Sequence, residues 1–378
     1  MNFAAFIAVL LTSLALVIFF SPLSIKMARI LNAVDTPTDR SVHSTPIPRL
    51  GGLALSLTIL MCSVLFIDPS PYLFGMVAGL VVILLTGLVD DLHHLSARSK
   101  IFGEAVAISI FCWASGCQLD SLGNLFGFGP IQMGYMAFPF TILILVGVIN
   151  AINLIDGLDA LASGIVAIAA FFYALLALLI GDGTSLLLAT IVMGTSIGFM
   201  FFNRHPARVF MGDCGSLVLG YMLAVLAISL YSFDGSLDVR SMTTTLIIFF
   251  PALDALVVMI RRLLAGKGAF LPDKTHFHHR LLHSGFSQRS AVSLIYGITT
   301  LFGVLAFVLF GQVGWRQLLI ALGLSLAIYL ILHLYEQRKE ANAPSGLQLS
   351  ASRPQAIGYW ASLLFLFLTL PLMLRYGM

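Results

Sequence analysis

Residues 136–180 read MAFPFTILILVGVINAINLIDGLDALASGIVAIAAFFYALLALLI, and they decide the fold. Two apolar runs, 136–153 and 160–180, each match the roughly 20 residues that cross a hydrocarbon core of about 30 Å. At the end of the first run stand Asn150 and Asn153, and between the two runs Asp156 and Asp159, each three residues from the last. A three-residue step on a regular helix slips by about 60°, so the four side chains would fan over roughly 180°. They can share a site only if the chain turns. Gly157 supplies the turn, and Asp159 then stands where it can cap the following helix. Polar groups therefore hang from the ends of two membrane-length helices.

The same pattern runs through the whole chain. Of its 378 residues 59% are hydrophobic and only 10% charged, against about 25% charged in soluble domains. The apolar runs predict helices at 3–20, 50–67, 73–89, 101–116, 136–153, 160–180, 185–203, 215–231, 244–263, 291–310, 316–333 and 357–374. The expected fold is all-α: a polytopic integral membrane protein with about 10–12 transmembrane helices in one bundle. Residues 1–378 read as a single domain, with 336–356 as a cytoplasmic linker before the last helix. The first run lacks a basic leader and a small-residue cleavage site, so it reads as a retained helix.

Orientation follows from the basic residues. Of 20 Lys and Arg, only Arg240, Arg316 and Arg375 fall on one set of alternate loops; the other set carries the remaining 17 (20 − 3). The rule that positive charge stays inside puts the 17-charge side in the cytoplasm and the N-terminus outside, as in a bacterial inner membrane. The net charge of +3 reflects that rule and is no argument for nucleic-acid binding. Cys62, Cys112, Cys117 and Cys214 show no metal-ligand spacing. The outer loops are short and plain. Acids, amides, histidines and glycines crowd the inner ones, which places the active site on the cytoplasmic face.

Four inner segments carry chemistry. The first, Asp90-Asp91…Lys100, puts two adjacent carboxylates at a helix C-terminus. Like-charge repulsion and the helix dipole both oppose them there unless a cation or strong partners stand nearby. Lys100 is a candidate phosphate ligand, with Glu104 one turn on. The second is the Asn150–Asp159 block. In the third, Val209-Phe-Met-Gly-Asp213-Cys-Gly-Ser216, glycines around Asp213 allow close backbone approach, Ser216 opens a helix, and Phe210 can stack on a base. The fourth, Asp273-Lys-Thr-His276-Phe-His278-His279-Arg280, offers donors to a diphosphate. A zinc site would need a fourth ligand that the sequence does not supply locally. Asp254, inside an apolar helix, is costly in hydrocarbon and is expected to face the site or to pair with a basic group.

Hard oxygen ligands without cysteine suit Mg²⁺, with Mn²⁺ as the alternative ion. Carboxylates, a lysine and histidines around such an ion describe phosphoryl transfer from a diphosphate donor, and the membrane suggests a lipid acceptor. A secondary transporter would place acids near the midplane and in repeated halves; here they gather at one face.

These four blocks, in order on the inner loops, resemble the polyprenyl-phosphate N-acetylhexosamine-1-phosphate transferase superfamily over roughly residues 25–300. The resemblance implies transfer of GlcNAc-1-phosphate from UDP-GlcNAc to undecaprenyl phosphate, with release of UMP, as the first membrane step of an envelope polysaccharide. It implies Asp213 and Asn153 as metal ligands and Asp90, Asp91, Asp156 and Asp159 as catalytic carboxylates, the last two supporting the metal and nucleotide site. Lys100, Asn150, Phe210, His276, His278, His279 and Arg280 are implied on the substrate side. It also makes a homodimer an admissible assembly. The Asp273–Arg280 block resembles the GlcNAc-1-phosphate branch; the peptidoglycan translocase branch typically carries three consecutive histidines there. One departure stands out: the second block commonly continues Asp-Gly-Leu, and here it is Asp159-Ala160-Leu161.

Overall fold

The computed structural model describes residues 3–36, 46–233, 237–264, 266 and 275–341. Its elements are almost all helical. In chain order they are α1 (Phe3–Ile30), β1 (Val34–Asp35), β2 (Ile47–Pro48), α2 (Gly51–Phe66), α3 (Pro71–His93), α4 (Ala97–Ser115) and α5 (Ala137–Ile155). There follow α6 (Leu161–Ile180), α7 (Gly183–Asn203), α8 (Gly212–Ser232), α9 (Leu237–Ile247), α10 (Phe249–Leu264), α11 (Phe277–His283), α12 (Gln288–Val308) and α13 (Gly314–Ala341). Eight of the described helices are long and apolar enough to cross a membrane; α2 is apolar but shorter. The chain is an all-α, multi-pass membrane protein. The helix expected at 357–374 lies outside the described residues, as do Asp273, Lys274 and most of the 336–356 segment.

α8 is the axis of the bundle. Of its membrane-length stretch 94% is buried, against 17% for α1 and 22% for α13. Its neighbours reach it through small residues. A Cβ on Gly52 of α2 would lie 2.2 Å from the Gly215 nitrogen, one on Gly87 of α3 2.4 Å from Cys214 Cα, and one on Gly220 2.8 Å from Ile149 Cα of α5. In a lipid solvent, where burial of apolar surface does not drive helices together, such backbone-to-backbone approach supplies the packing energy. It also brings the ends of α3, α5 and α8 to one place.

Three elements depart from the expected boundaries. α1 continues to Ile30 through Pro22, supported by hydroxyl bonds from Ser21 to the Val17 carbonyl (2.7 Å) and from Ser24 to that of Ser21 (2.9 Å), as helices in lipid tolerate proline. The single helix expected at 244–263 is two, α9 and α10, broken at Ile248. Pro251 has no N–H for the Ile247 carbonyl and its ring crowds that carbonyl, so the helix cannot run through. α13 extends to Ala341, so the polar stretch read as linker begins as helix, and its Glu336 ion-pairs with Arg280 of α11 (2.6 Å).

Candidate active site

The site forms where α3, α4, α5 and α8 end or begin together. At its centre Lys100 Nζ lies 2.5 Å from Asp90 Oδ2 and 3.0 Å from Asp213 Oδ1. Asn153, from the last turn of α5, donates through Nδ2 to the same Asp213 oxygen (2.7 Å) and to Ser216 Oγ (2.8 Å). Asp90 Oδ1 also accepts the Leu95 amide (2.6 Å), which fastens the turn after α3. Three of the four sequence blocks thus meet around a single ammonium.

Asp91 stands behind this cluster. Its Oδ1 accepts the Asp213 amide and its Oδ2 the Cys214 amide, both at 2.9 Å. These are orphan donors in the first turn of α8, at the positive end of its dipole. The carboxylate that looked misplaced at the end of α3 is therefore well placed at the start of another helix. Gly212 makes this docking feasible. It has φ +69, and a Cβ there would lie 2.2 Å from the Arg49 carbonyl and 2.6 Å from Asp91 Oδ2.

The turn after α5 carries Asp156 and Asp159 to different neighbours. Asp156 is pushed up to about 8, first by desolvation, then by the charges of Asp213, Asp91 and Asp159. It is neutral in the fold up to that pH but ionises near 3.8 when unfolded. Its favourable contribution is thus complete below about 4 and lost as pH rises through about 8. In EDTA, the melting temperature of Asp156→Asn relative to wild type should therefore rise between about pH 4 and pH 8 and level off above. Thermal melts at several pH values check this; a constant difference would contradict it.

Asp159 does not cap α6. Its Oδ2 accepts from His205 Nδ1 (2.7 Å) and the Ala207 amide (3.2 Å), tying the turn to the loop after α7. The residue preceding α6 is Ala160, and no side chain caps that helix. The backbone explains the departure noted in the sequence: Ala160 has φ +63, the left-handed region that glycine adopts without strain. The conformation is held by the Asn203 side chain, which accepts the Ala160 amide (2.9 Å), and by the Tyr296 hydroxyl on the Ala160 carbonyl. Ala160→Gly should stabilise the protein by up to about 1 kcal/mol, relief of strain outweighing the added freedom of the unfolded chain. A lowered melting temperature would contradict this.

The remaining expected residues are distributed unevenly. Asn150 donates to Glu104 of α4 and to the Val146 carbonyl, one turn below the cluster. His278 reaches the turn: a Cβ on Gly157 would lie 2.4 Å from its Nε2. Burial and the neighbouring His279 take His278 down to about 3, so it is neutral at physiological pH. His276 stacks against His278, with ring centroids 5.9 Å apart, and His279 tilts against it at 4.2 Å. Arg280 is turned to Glu336 of α13 by two hydrogen bonds of 2.6 and 3.2 Å. Phe210 is half-buried, with its backbone joined to Pro48 and Gly51.

Residues 73–231 match the family described as Glycosyl transferase family 4, a span that holds every member of the Asp90–Lys100–Asn153–Asp213 cluster. A probable undecaprenyl-phosphate N-acetylglucosaminyl 1-phosphate transferase of Bacillus subtilis is 37% identical over 320 residues, covering 84% of this chain and 87% of its own length. The chain belongs to the polyprenyl-phosphate N-acetylhexosamine-1-phosphate transferase superfamily. A decaprenyl-phosphate N-acetylglucosaminephosphotransferase of Mycobacterium leprae is 36% identical over 76% of this chain and 79% of that one. A phospho-N-acetylmuramoyl-pentapeptide-transferase of Caldanaerobacter subterraneus is 29% identical over 67% and 80%.

Within this superfamily site, the donor set suits a hard divalent ion. Asp90 and Asp213 both contact one ammonium, so they are close enough to share a single cation, and Asn153 stands beside them. Among the described residues no three His, Cys, Asp or Glu side chains gather to hold an ion. Mg²⁺ commonly takes only one or two carboxylates and completes its shell with substrate phosphates and water, so these residues fit it. The residues that sequence reasoning passed over are supports: Asn203, His205 and Tyr296, and also Tyr329, whose hydroxyl donates to Asp254 Oδ1 (2.8 Å). Each lies outside the four blocks, and only its distant partner reveals its use.

Proposed function

We propose that the chain transfers GlcNAc-1-phosphate from UDP-GlcNAc to undecaprenyl phosphate, giving undecaprenyl-diphosphate-GlcNAc and UMP. The setting is the cytoplasmic face of a bacterial inner membrane, at the first membrane step of an envelope polysaccharide such as O-antigen, common antigen or teichoic acid. The observation that carries this reading is the shared ammonium. Lys100 bridges Asp90 and Asp213, a cradle of two carboxylates and one ammonium at the ends of membrane helices, where a soluble diphosphate and a lipid phosphate can meet.

In this reading an oxygen of the lipid phosphate attacks the β-phosphorus of the donor. The bond from that phosphorus to the bridging oxygen breaks, and UMP leaves with the electron pair. The lipid phosphate is largely ionised at neutral pH, so no proton need be removed from it. Lys100 and the histidines of α11 bind phosphate oxygens, and Asp90 orders the acceptor side through Lys100. Asp91 holds the N-terminus of α8, keeping Asp213 at its station. Asp213 and Asn153 would hold Mg²⁺, which when bound neutralises charge on the diphosphate.

A donor panel tests the sugar. With undecaprenyl phosphate and Mg²⁺, UDP-GlcNAc should release UMP faster than UDP-GalNAc or UDP-MurNAc-pentapeptide. Faster release from the pentapeptide donor would move the chain to the peptidoglycan branch.

A further inference from the structure

Asp254 is 2% exposed, on a helix otherwise apolar at that depth. A carboxylate so placed is retained only with partners, and it has at least three, two at the start of α11 and one from α13. His276 Nδ1 lies 2.9 Å from Oδ2, the Phe277 amide 3.1 Å from Oδ1, and the Tyr329 hydroxyl of α13 2.8 Å from Oδ1. A carboxylate only accepts, so the proton of the His276 contact is on Nδ1. That leaves Nε2 as the free end of the ring. Among the described residues this buried atom has no hydrogen-bond partner, nor has either ring nitrogen of His278, while His276 and His278 are 3% and 1% exposed. Three buried ring nitrogens with no partner among the described residues, on stacked rings beside the Asp156–Asp159 turn, are positioned for a ligand.

The second support is the brace from α13. Tyr329 packs edge-on to Phe277 (5.2 Å) and is stacked with Phe250 (6.0 Å), so its hydroxyl is delivered to Asp254 from a fixed ring. Seven residues on, along the same helical face, Glu336 grips Arg280. α13 thus holds α11 at its first residue, Phe277, and at its middle, Arg280.

We propose that Asp254 is a positioning residue for His276, fixing its ring with Nδ1 protonated so that Nε2, then an acceptor, takes a hydrogen bond from a hydroxyl of the UDP-sugar donor, and that Tyr329 holds Asp254 in place. This rests on the transferase reading above. Asp254 touches no substrate; it acts through His276, as carboxylates commonly orient functional histidines.

The test is a double-mutant cycle in the full-length enzyme, joined to a spectroscopic readout. Asp254→Ala should lower kcat/KM for UDP-GlcNAc about 100-fold and leave KM for undecaprenyl phosphate unchanged. Asp254→Asn, which keeps a carbonyl acceptor, should recover part of the loss, and Tyr329→Phe should show a smaller one. In a His276→Gln background none of the three should matter further, because the coupling runs through the ring. Additive losses would overturn the proposal. Independently of turnover, ¹⁵N-histidine spectra should show His276 protonated at Nδ1 in wild type and as a mixture of tautomers in Asp254→Ala. A ring that keeps its single tautomer in Asp254→Ala would also overturn it. If the wild-type enzyme releases no UMP, the transferase reading fails and the spectra alone decide the role of Asp254.

Discussion

Asp213→Asn should lower UMP release by at least ~10³-fold while leaving the fold intact. Removing one preorganised electrostatic partner at a reacting centre typically costs about 10²–10³ in rate. Here the same substitution also removes the charge expected to hold a divalent ion. Asp213 Oδ1 is the atom on which Lys100 and Asn153 converge, so no neighbouring group takes over its position. The backbone contribution survives, because the Asp213 amide still docks on Asp91 and α8 begins where it did. Steady-state assays together with a thermal melt separate the two effects. Near-wild-type turnover would refute the assigned role.

Lys100→Met should damage stability and activity together, and Mg²⁺ should repair only the first. The ammonium stands between two carboxylates whose side chains are 5% and 31% exposed, and is itself 22% exposed. Breaking a fully buried pair by removing one partner costs about 3–5 kcal/mol; partial exposure lowers that here to about 2–3 kcal/mol. A divalent ion can restore the missing positive charge between Asp90 and Asp213, so the melting temperature of the variant should rise more with MgCl₂ than that of wild type. Turnover should remain about 10²–10³ below wild type, because the lysine is also a phosphate ligand in this account. A variant whose stability ignores Mg²⁺ would argue against a cation site at these carboxylates.

Much of this is legible in the amino-acid sequence. Hydrophobic length located the spans, because lipid imposes a single length scale on every helix. The four polar blocks were visible because functional groups are rare in such a sequence. What stayed hidden were relations between distant segments. Asp90 and Asp91 read as an equivalent pair, yet one faces Lys100 and the other caps α8 more than 120 residues away. Arg280 read as a phosphate ligand, and the structure gives it to Glu336, in a stretch taken for linker. Asp159 read as a helix cap and instead fastens the loop at His205. Asp254 was expected to face the site or pair with a basic group, and His276 is that group. In each case local pattern revealed that the residue was polar and placed near the membrane face. Only the packing of α8 and α13 decided which neighbour it meets.

The central claim is that the clustered carboxylates serve transfer of a phosphosugar to a lipid phosphate. The most direct measurement is UMP release from UDP-GlcNAc by the purified full-length chain, with and without undecaprenyl phosphate, in Mg²⁺ and in EDTA. The account predicts UMP only when the lipid and Mg²⁺ are both present, with one GlcNAc appearing on the lipid for each UMP released. Release that is equally fast in EDTA, or none under any of the four conditions, would contradict it.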